Sequence, residues 1–168
     1  MLALKLVAGL AIVAVLLTGG ALLRNRVSLS APPGFGLRLG TYLTTNVAET
    51  RDDHVFPELR TRTFEVNAKT LLGVIEQACA ELGWKVVQID AQNSSVLAEV
   101  RTPLLGFTDD LQVRVEAAGE QAARLHVVSR SRVGRGDLGA NQRHVLDFLS
   151  AIDALTRILH EGGGSRRN

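Results

Sequence analysis

Two carboxylates stand side by side at Asp109 and Asp110, and arginines follow at Arg130, Arg132 and Arg135. Paired carboxylates suit general acid–base chemistry or the binding of a hard cation. Arginines suit anions, because a guanidinium offers a planar fork of donors to a phosphate or a carboxylate. Asp137, Asn141 and Arg143 come next, in a stretch broken by Gly134, Gly136 and Gly139. Backbone N–H groups at such a bend, a following helix N-terminus and several guanidiniums make a candidate anion site. The candidate cluster is therefore Asp109, Asp110, Arg130, Arg132, Arg135, Asp137, Asn141 and Arg143. It is read either as anion-binding or as a set of structural ion pairs.

Strand geometry restricts what this cluster can do. Neighbouring residues on a strand point to opposite faces, so Asp109 and Asp110 are not expected to converge. One is expected to accept bonds from turn backbone and the other to pair with an arginine. Arg130 and Arg132, two apart, share a face, with Arg135 and Arg143 gathering near the same end. Their expected partners are Asp109, Asp110, Asp137 and Glu99. Asp137 or Asn141 is the candidate cap for the helix that follows.

Other reactive residue types offer less. His54, His126, His144 and His160 are scattered without paired ligand spacing, so no metal site is expected. Ser129 and Ser131 lie in no nucleophile elbow and have no evident His–Asp pairing. Cys79, the only cysteine, falls within a helical apolar pattern with no basic residue to lower its pKa, and reads as a core residue. It can form no internal disulfide and no cysteine-based zinc site. Arg135-Gly136-Asp137 spells a cell-adhesion tripeptide, but nothing else supports that role. No catalytic residue and no cofactor are assigned.

The elements that must position these residues follow from periodicity. Arg62 to Val66 predicts a short strand, with Asn67 as the N-cap of a helix carrying Leu71, Leu72, Ile75, Ala78, Cys79 and Leu82 at helical spacing. Gly83 ends that helix. Strands are predicted over Trp84 to Ala91 and Val96 to Thr102, joined by a turn at Gln92 to Ser95, with Pro103 to Gly106 as the next connection. Leu111, Val113 and Val115 alternate with Gln112, Arg114 and Glu116, a half-buried strand. A turn at Ala118 to Glu120 leads to a strand over Arg124 to Val133. A long helix then carries Val145, Phe148, Leu149, Ile152, Leu155 and Leu159 on one stripe. Short turns between successive strands make the sheet antiparallel, and two amphipathic helices can cover one face. The predicted fold is an α+β two-layer sandwich of about five strands and two helices, preceded by a transmembrane helix.

The chain has 168 residues, enough for one domain with its own core. Leu6 to Leu23 carries no charge, flanked by Lys5 and by Arg24 and Arg26. That run is long enough to cross a bilayer, and it has no polar face for a soluble core helix. A retained anchor is favoured over a cleaved signal peptide because the apolar run continues through Leu22 and Leu23. The expected divisions are a transmembrane or signal-anchor segment over 1–26, a linker and irregular segment over 27–60, the α+β domain over 61–161 and a disordered tail over 162–168. Positive-inside counting sets Lys5 and the amino terminus against Arg24, Arg26 and Arg38 and would place the domain in the cytoplasm, whereas an export-type N-terminus argues the other way. The domain is expected on the periplasmic or extracellular side. A formal net charge of +2 and an aromatic fraction of 4% give no case for nucleic-acid binding.

Three segments carry a resemblance. They are Thr45-Asn46-Val47-Ala48-Glu49-Thr50, Thr102 to Asp110 with Phe107 before the aspartate pair, and Ser129 to Arg143 with its Ser-Arg-Val-Gly-x-x-Asp-Leu-Gly-x-Asn pattern. Over about residues 40–158 the chain resembles the bacterial and plastid family named domain of unknown function 1499. The resemblance implies a fold and signature residues, and no reaction. Many members carry a cysteine beside the asparagine matching Asn46. Val47 stands there, so no redox role is expected of that segment.

These readings favour a non-enzymatic, membrane-anchored binding or structural module of the cell envelope, with an anionic lipid or a protein as the partner. The competing reading is an enzyme acting on an anionic substrate at the Arg/Asp/Gly-rich turn. Closed ion pairs beneath the surface would favour the first. Asp109 or Asp110 lining a pocket with Arg130 or Arg132 would favour the second.

Overall fold

The computed structural model describes residues 1–102 and 106–164. The chain begins with helix α1 (Leu2–Arg24) and helix α2 (Phe35–Thr44), followed by strand β1 (Val47–Glu49) and a 3-10 turn at Pro57–Leu59. Then come β2 (Arg62–Phe64), α3 (Ala68–Glu81), β3 (Lys85–Asp90), β4 (Ser95–Arg101), β5 (Thr108–Ala117), β6 (Ala123–Ser131) and α4 (Ala140–Gly164). The six strands form one antiparallel sheet in the order β1-β6-β5-β4-β3, with β2 also pairing to β6. Because β5 occupies the other side of β6, β1 and β2 share one edge in tandem: β1 opposite Val128 to Arg130, β2 opposite Ala123 to Leu125.

Alternation decides which face is buried. Val96, Ala98 and Val100 on β4, Leu111, Val113 and Val115 on β5, and Ala123, Leu125 and Val127 on β6 all point inward. They meet α3, through Leu71, Ile75, Ala78 and Cys79, and α4, through Val145, Phe148, Leu149 and Ile152. This is the α+β two-layer sandwich. Asn67 caps α3, its side-chain oxygen accepting the Thr70 N–H at 2.8 Å. Cys79 is fully buried in this core, and burial pushes its thiol up to about 11.

The segment 27–60, expected to be irregular, instead contains α2 and β1, and the sheet accordingly has six strands. Local propensity for a helix is poor there, with Gly36 and Gly40 inside it. Tertiary contacts make the helix instead. Arg38 and Tyr42, one turn apart, are both buried, with Phe56 packed edge-on to Tyr42. Arg38, counted above as a membrane-flanking charge, thus belongs to the domain interior. At the other end α4 continues through Gly162 to Gly164, so the expected tail begins no earlier than residue 165, and 165–168 lie outside the described residues. Residues 103–105 of the expected connection also lie outside them.

Helix α1 is long and apolar enough to cross a membrane. Only 6% of its most apolar window is buried, whereas the core helix of a soluble domain would be mostly covered. Its last turn is attached to the domain. Leu22 is buried, and the Asn25 side-chain amide donates to the Leu138 carbonyl at 2.9 Å. Val27 occupies the space that a Cβ on Gly139 would need.

Candidate functional site

The β5–β6 hairpin places the signature charges. Asp109 lies opposite Ser131, and Asp110 opposite Arg130. Asp109 and Asp110 point to opposite faces: Asp109 is buried beneath α4, while Asp110 lies on the open face of the sheet. The two carboxylates therefore form no acid–base pair.

On the open face Arg132, rather than the directly opposite Arg130, engages Asp110. Its Nε and Nη2 donate to the carboxylate, at 3.1 and 2.6 Å, and Nη2 also donates to Glu99 at 2.7 Å. Asp110 and then Glu99 raise the Arg132 pKa, and Arg132 in turn holds Glu99 below the usual carboxylate range. The triad ties β4, β5 and β6 together as a closed cross-strand network. Arg132→Ala and Asp110→Ala are each expected to lower the melting temperature slightly, and the double variant less than the sum of the two. Strictly additive losses in thermal melts of the four proteins would show that the charges do not interact.

The interior face holds a second polar group. The Ser129 hydroxyl donates to Asn141 Oδ1 at 2.7 Å, and Asn141 Nδ2 donates to Ser131 Oγ at 2.8 Å and to the Asn46 carbonyl at 2.9 Å. His144 Nδ1 lies 3.5 Å from Ser129 Oγ and 3.6 Å from Asp109 Oδ2, an oxygen with no hydrogen-bond partner among the described residues. Burial raises the Asp109 pKa against the lowering effect of Ser131, and burial lowers that of His144 against Asp109. Serine, histidine and aspartate thus meet here, which their sequence positions did not suggest. They are not a hydrolytic triad. A relay needs the serine and the aspartate on different ring nitrogens, whereas both face Nδ1, and Ser129 and Asp109 are buried.

The glycine-rich turn joins helix ends. Asp137 caps α4, accepting the backbone N–H groups of Gly139 and Asn141 at 2.8 and 3.0 Å and an Asn141 side-chain N–H at 2.6 Å. The N–H groups of Asp137 and Leu138 in turn donate to the Thr45 and Tyr42 carbonyls, at 3.1 and 3.0 Å, satisfying acceptors at the end of α2. Asn46 Nδ2 donates to the Gly134 carbonyl at 2.7 Å. Gly136 leaves no room for a side chain, because a Cβ there would run into the Leu43 carbonyl. Arg135 is exposed on this turn. Arg143 is not gathered with the other arginines; its Nε donates to Asp147 at 2.8 Å along α4.

A cavity of about 610 Å³ opens beside β1, between the C-terminal half of α2 and the segment leading to the 3-10 turn. Arg130 and Asp137 line it, as do Glu49, Arg51 and His54, which lie outside the cluster drawn from sequence. Asp109, Asp110 and Arg132 do not. Glu49 faces Arg51 at 3.5 Å, and Asp137 is engaged by backbone amides. Arg130 has no ionic partner among the described residues. His54 Nδ1 accepts the Phe56 N–H at 3.0 Å, and burial lowers the pKa of its ring.

Behind the cavity lies Arg38. Its guanidinium donates to both Glu58 oxygens at 2.6 and 3.0 Å, to Tyr42 Oη at 3.1 Å, and through Nε to the Ala31 and Pro32 carbonyls at 2.9 and 3.0 Å. It also sits 4.3 Å from the Phe56 ring centroid. Burial raises the Glu58 pKa most, but the Arg38 hydrogen bonds and charge, a backbone N–H and Gln142 together hold Glu58 below its ordinary value. No spacing rule connects Arg38 with Glu58 in sequence; one charged residue within an otherwise uncharged α2 was the available signal.

Among curated proteins nothing matches the chain. A solved START superfamily protein from Mycobacterium smegmatis is similar at 12% identity and a TM-score of 0.40, over 67% of this chain and 98% of that one. At that level the likeness carries nothing about a ligand. The profile of the family described as protein of unknown function (DUF1499) matches residues 28–152, from the linker through β1, both signature segments and most of the inward stripe of α4, and the chain belongs to that family.

Proposed function

We propose that the protein is a single-pass, membrane-anchored module of the cell envelope that binds a partner through an anionic group, without turning over a substrate. The observation that carries this reading is the distribution of charge around the cavity. Its carboxylates, Glu49 and Asp137, are engaged, while Arg130 is left without an ionic partner among the described residues. A spare guanidinium on a concave wall favours an anion. Acid–base catalysis would call for a proton-transfer group with a tuned pKa within reach of substrate. The carboxylate whose pKa is raised, Asp109, is instead buried under α4, and the histidine on the cavity wall, His54, has its Nδ1 occupied by the Phe56 N–H. Helix α1 supplies the anchor, and its export-type character favours the domain lying on the periplasmic or extracellular face.

Full-length protein is expected in the membrane fraction; recovery wholly in the soluble fraction at full mass would remove the anchor. For the site, detergent-solubilised full-length protein is titrated with inorganic phosphate and with glycerol phosphate as a head-group analogue. Arg130→Ala should weaken binding about tenfold, the value of one charge-assisted hydrogen bond. Arg132→Ala, whose guanidinium is already committed, should leave binding unchanged. Absence of saturable binding, or equal losses in both variants, would refute the site.

A further inference from the structure

Helix α2 has its polarity reversed. A surface helix of a soluble domain turns its charges to water and its apolar stripe to the core. The only charged residue of α2, Arg38, is fully buried. Its outward positions are Phe35, Gly36, Leu37, Gly40, Leu43 and Thr44, with no charge among them. Phe35, Leu37 and Leu43 are 59, 54 and 46% exposed. An isolated exposed leucine needs no explanation, but a whole helix face without a charge does.

The position of α2 says what covers that face. The end of α1 reaches the domain at Leu138, through Asn25, and the backbone N–H of Leu138 donates to Tyr42 on α2. Arg38 holds the carbonyls of Ala31 and Pro32, so the linker folds back onto the same helix. Both halves of α2 are therefore fastened beside the point where α1 ends. Ten residues of helix span about 15 Å, so the face cannot lie far from that point. Arg24 and Arg26, at the same end of α1, can reach the head-group phosphates of either leaflet.

We propose that α2 is a second membrane contact, its uncharged outward face, Leu37, Gly40 and Leu43 with Phe35 at its N-terminal end, lying in the interfacial region of the bilayer that α1 crosses. This rests on the reading of α1 as a membrane anchor. The inward guanidinium then has a structural logic: it fixes α2 to the domain from behind, leaving the lipid side free of charge. The domain is held flat against the membrane at two places.

The test uses full-length protein in nanodiscs of mixed zwitterionic and anionic lipid, spin-labelled at single introduced cysteines. The native Cys79 is fully buried and stays unlabelled, which the unsubstituted protein verifies. Labels are placed at Leu37→Cys, at Val13→Cys within α1, and at Ile89→Cys on exposed β3. Collision with oxygen, which concentrates in lipid, is compared with collision with a water-soluble nickel chelate. The oxygen-to-nickel ratio at position 37 should be several-fold above that at 89 and below that at 13. A ratio at 37 equal to that at 89, with 13 lipid-like, would overturn the proposal and leave the anchor standing. Shielding of position 37 from both reagents would mean protein covers the face, and would also overturn it. A water-like ratio at 13 would remove the anchor and the proposal together.

Discussion

Leu149→Asp abolishes the cooperative thermal transition of the domain. Leu149 is fully buried on α4, beside Phe148 and Ile152, against the inward face of the sheet. Removing a buried leucine side chain alone costs about 2–5 kcal/mol. The carboxylate adds a desolvation cost of several kcal/mol, because it enters a layer of apolar side chains. A domain of this size has roughly 5–15 kcal/mol in total, so the two costs together consume it. Near-ultraviolet circular dichroism reports the loss directly, because the single Trp84 stacks on Phe148 with ring centroids 6.1 Å apart. Leu159→Asp, on the same helix but half exposed, is the control and should melt like the parent. A cooperative transition near the parental temperature for Leu149→Asp would mean that α4 is rotated from the phase described.

The next largest effect is expected at Arg38. Arg38→Ala removes a buried cation that serves a carboxylate, a phenol and two backbone carbonyls at once. Breaking a buried ion pair from one side costs about 3–5 kcal/mol. The lower end applies, because Glu58 keeps some exposure and a second donor in Gln142 Nε2 at 3.0 Å. About 3 kcal/mol corresponds to a fall in Tm on the order of 10 °C. Arg38→Lys should recover little of it, since an ammonium cannot reproduce the fork that meets Glu58 and the two carbonyls together. Limited proteolysis of the Ala variant should cut the linker at residues 26–34 sooner than in the parent. An unchanged Tm with an intact linker would mean that the guanidinium fastens nothing.

Residue spacing made parts of the candidate site legible and left others hidden. The opposite orientations of Asp109 and Asp110 follow from strand periodicity alone. So does the shared face of Arg130 and Arg132. Their partners did not follow. Asp110 lies directly across from Arg130 yet bonds Arg132, the diagonal neighbour, which reaches both Asp110 and Glu99. His144 was hidden because its proximity to Asp109 depends on how α4 crosses the sheet, not on any spacing within the chain.

What the sequence by itself determined is whatever local periodicity and composition dictate. An uncharged run makes α1, alternation makes β4 to β6, and an apolar stripe at helical spacing makes α3 and α4. Each of those elements carries a pattern strong enough to choose its own partner face. Helix α2, strand β1 and the cavity between them carry no such pattern. The residues that fasten them, Arg38, Tyr42 and Asn46, acquire their roles only when other segments of the chain close on them. Arg38 reads as a flanking charge until Glu58 and the linker carbonyls are brought around it, and Asn46 reads as a loop residue until the 134–141 turn closes on it. Tertiary structure decided these, because the free energy that orders them comes from long-range polar contacts rather than from local propensity.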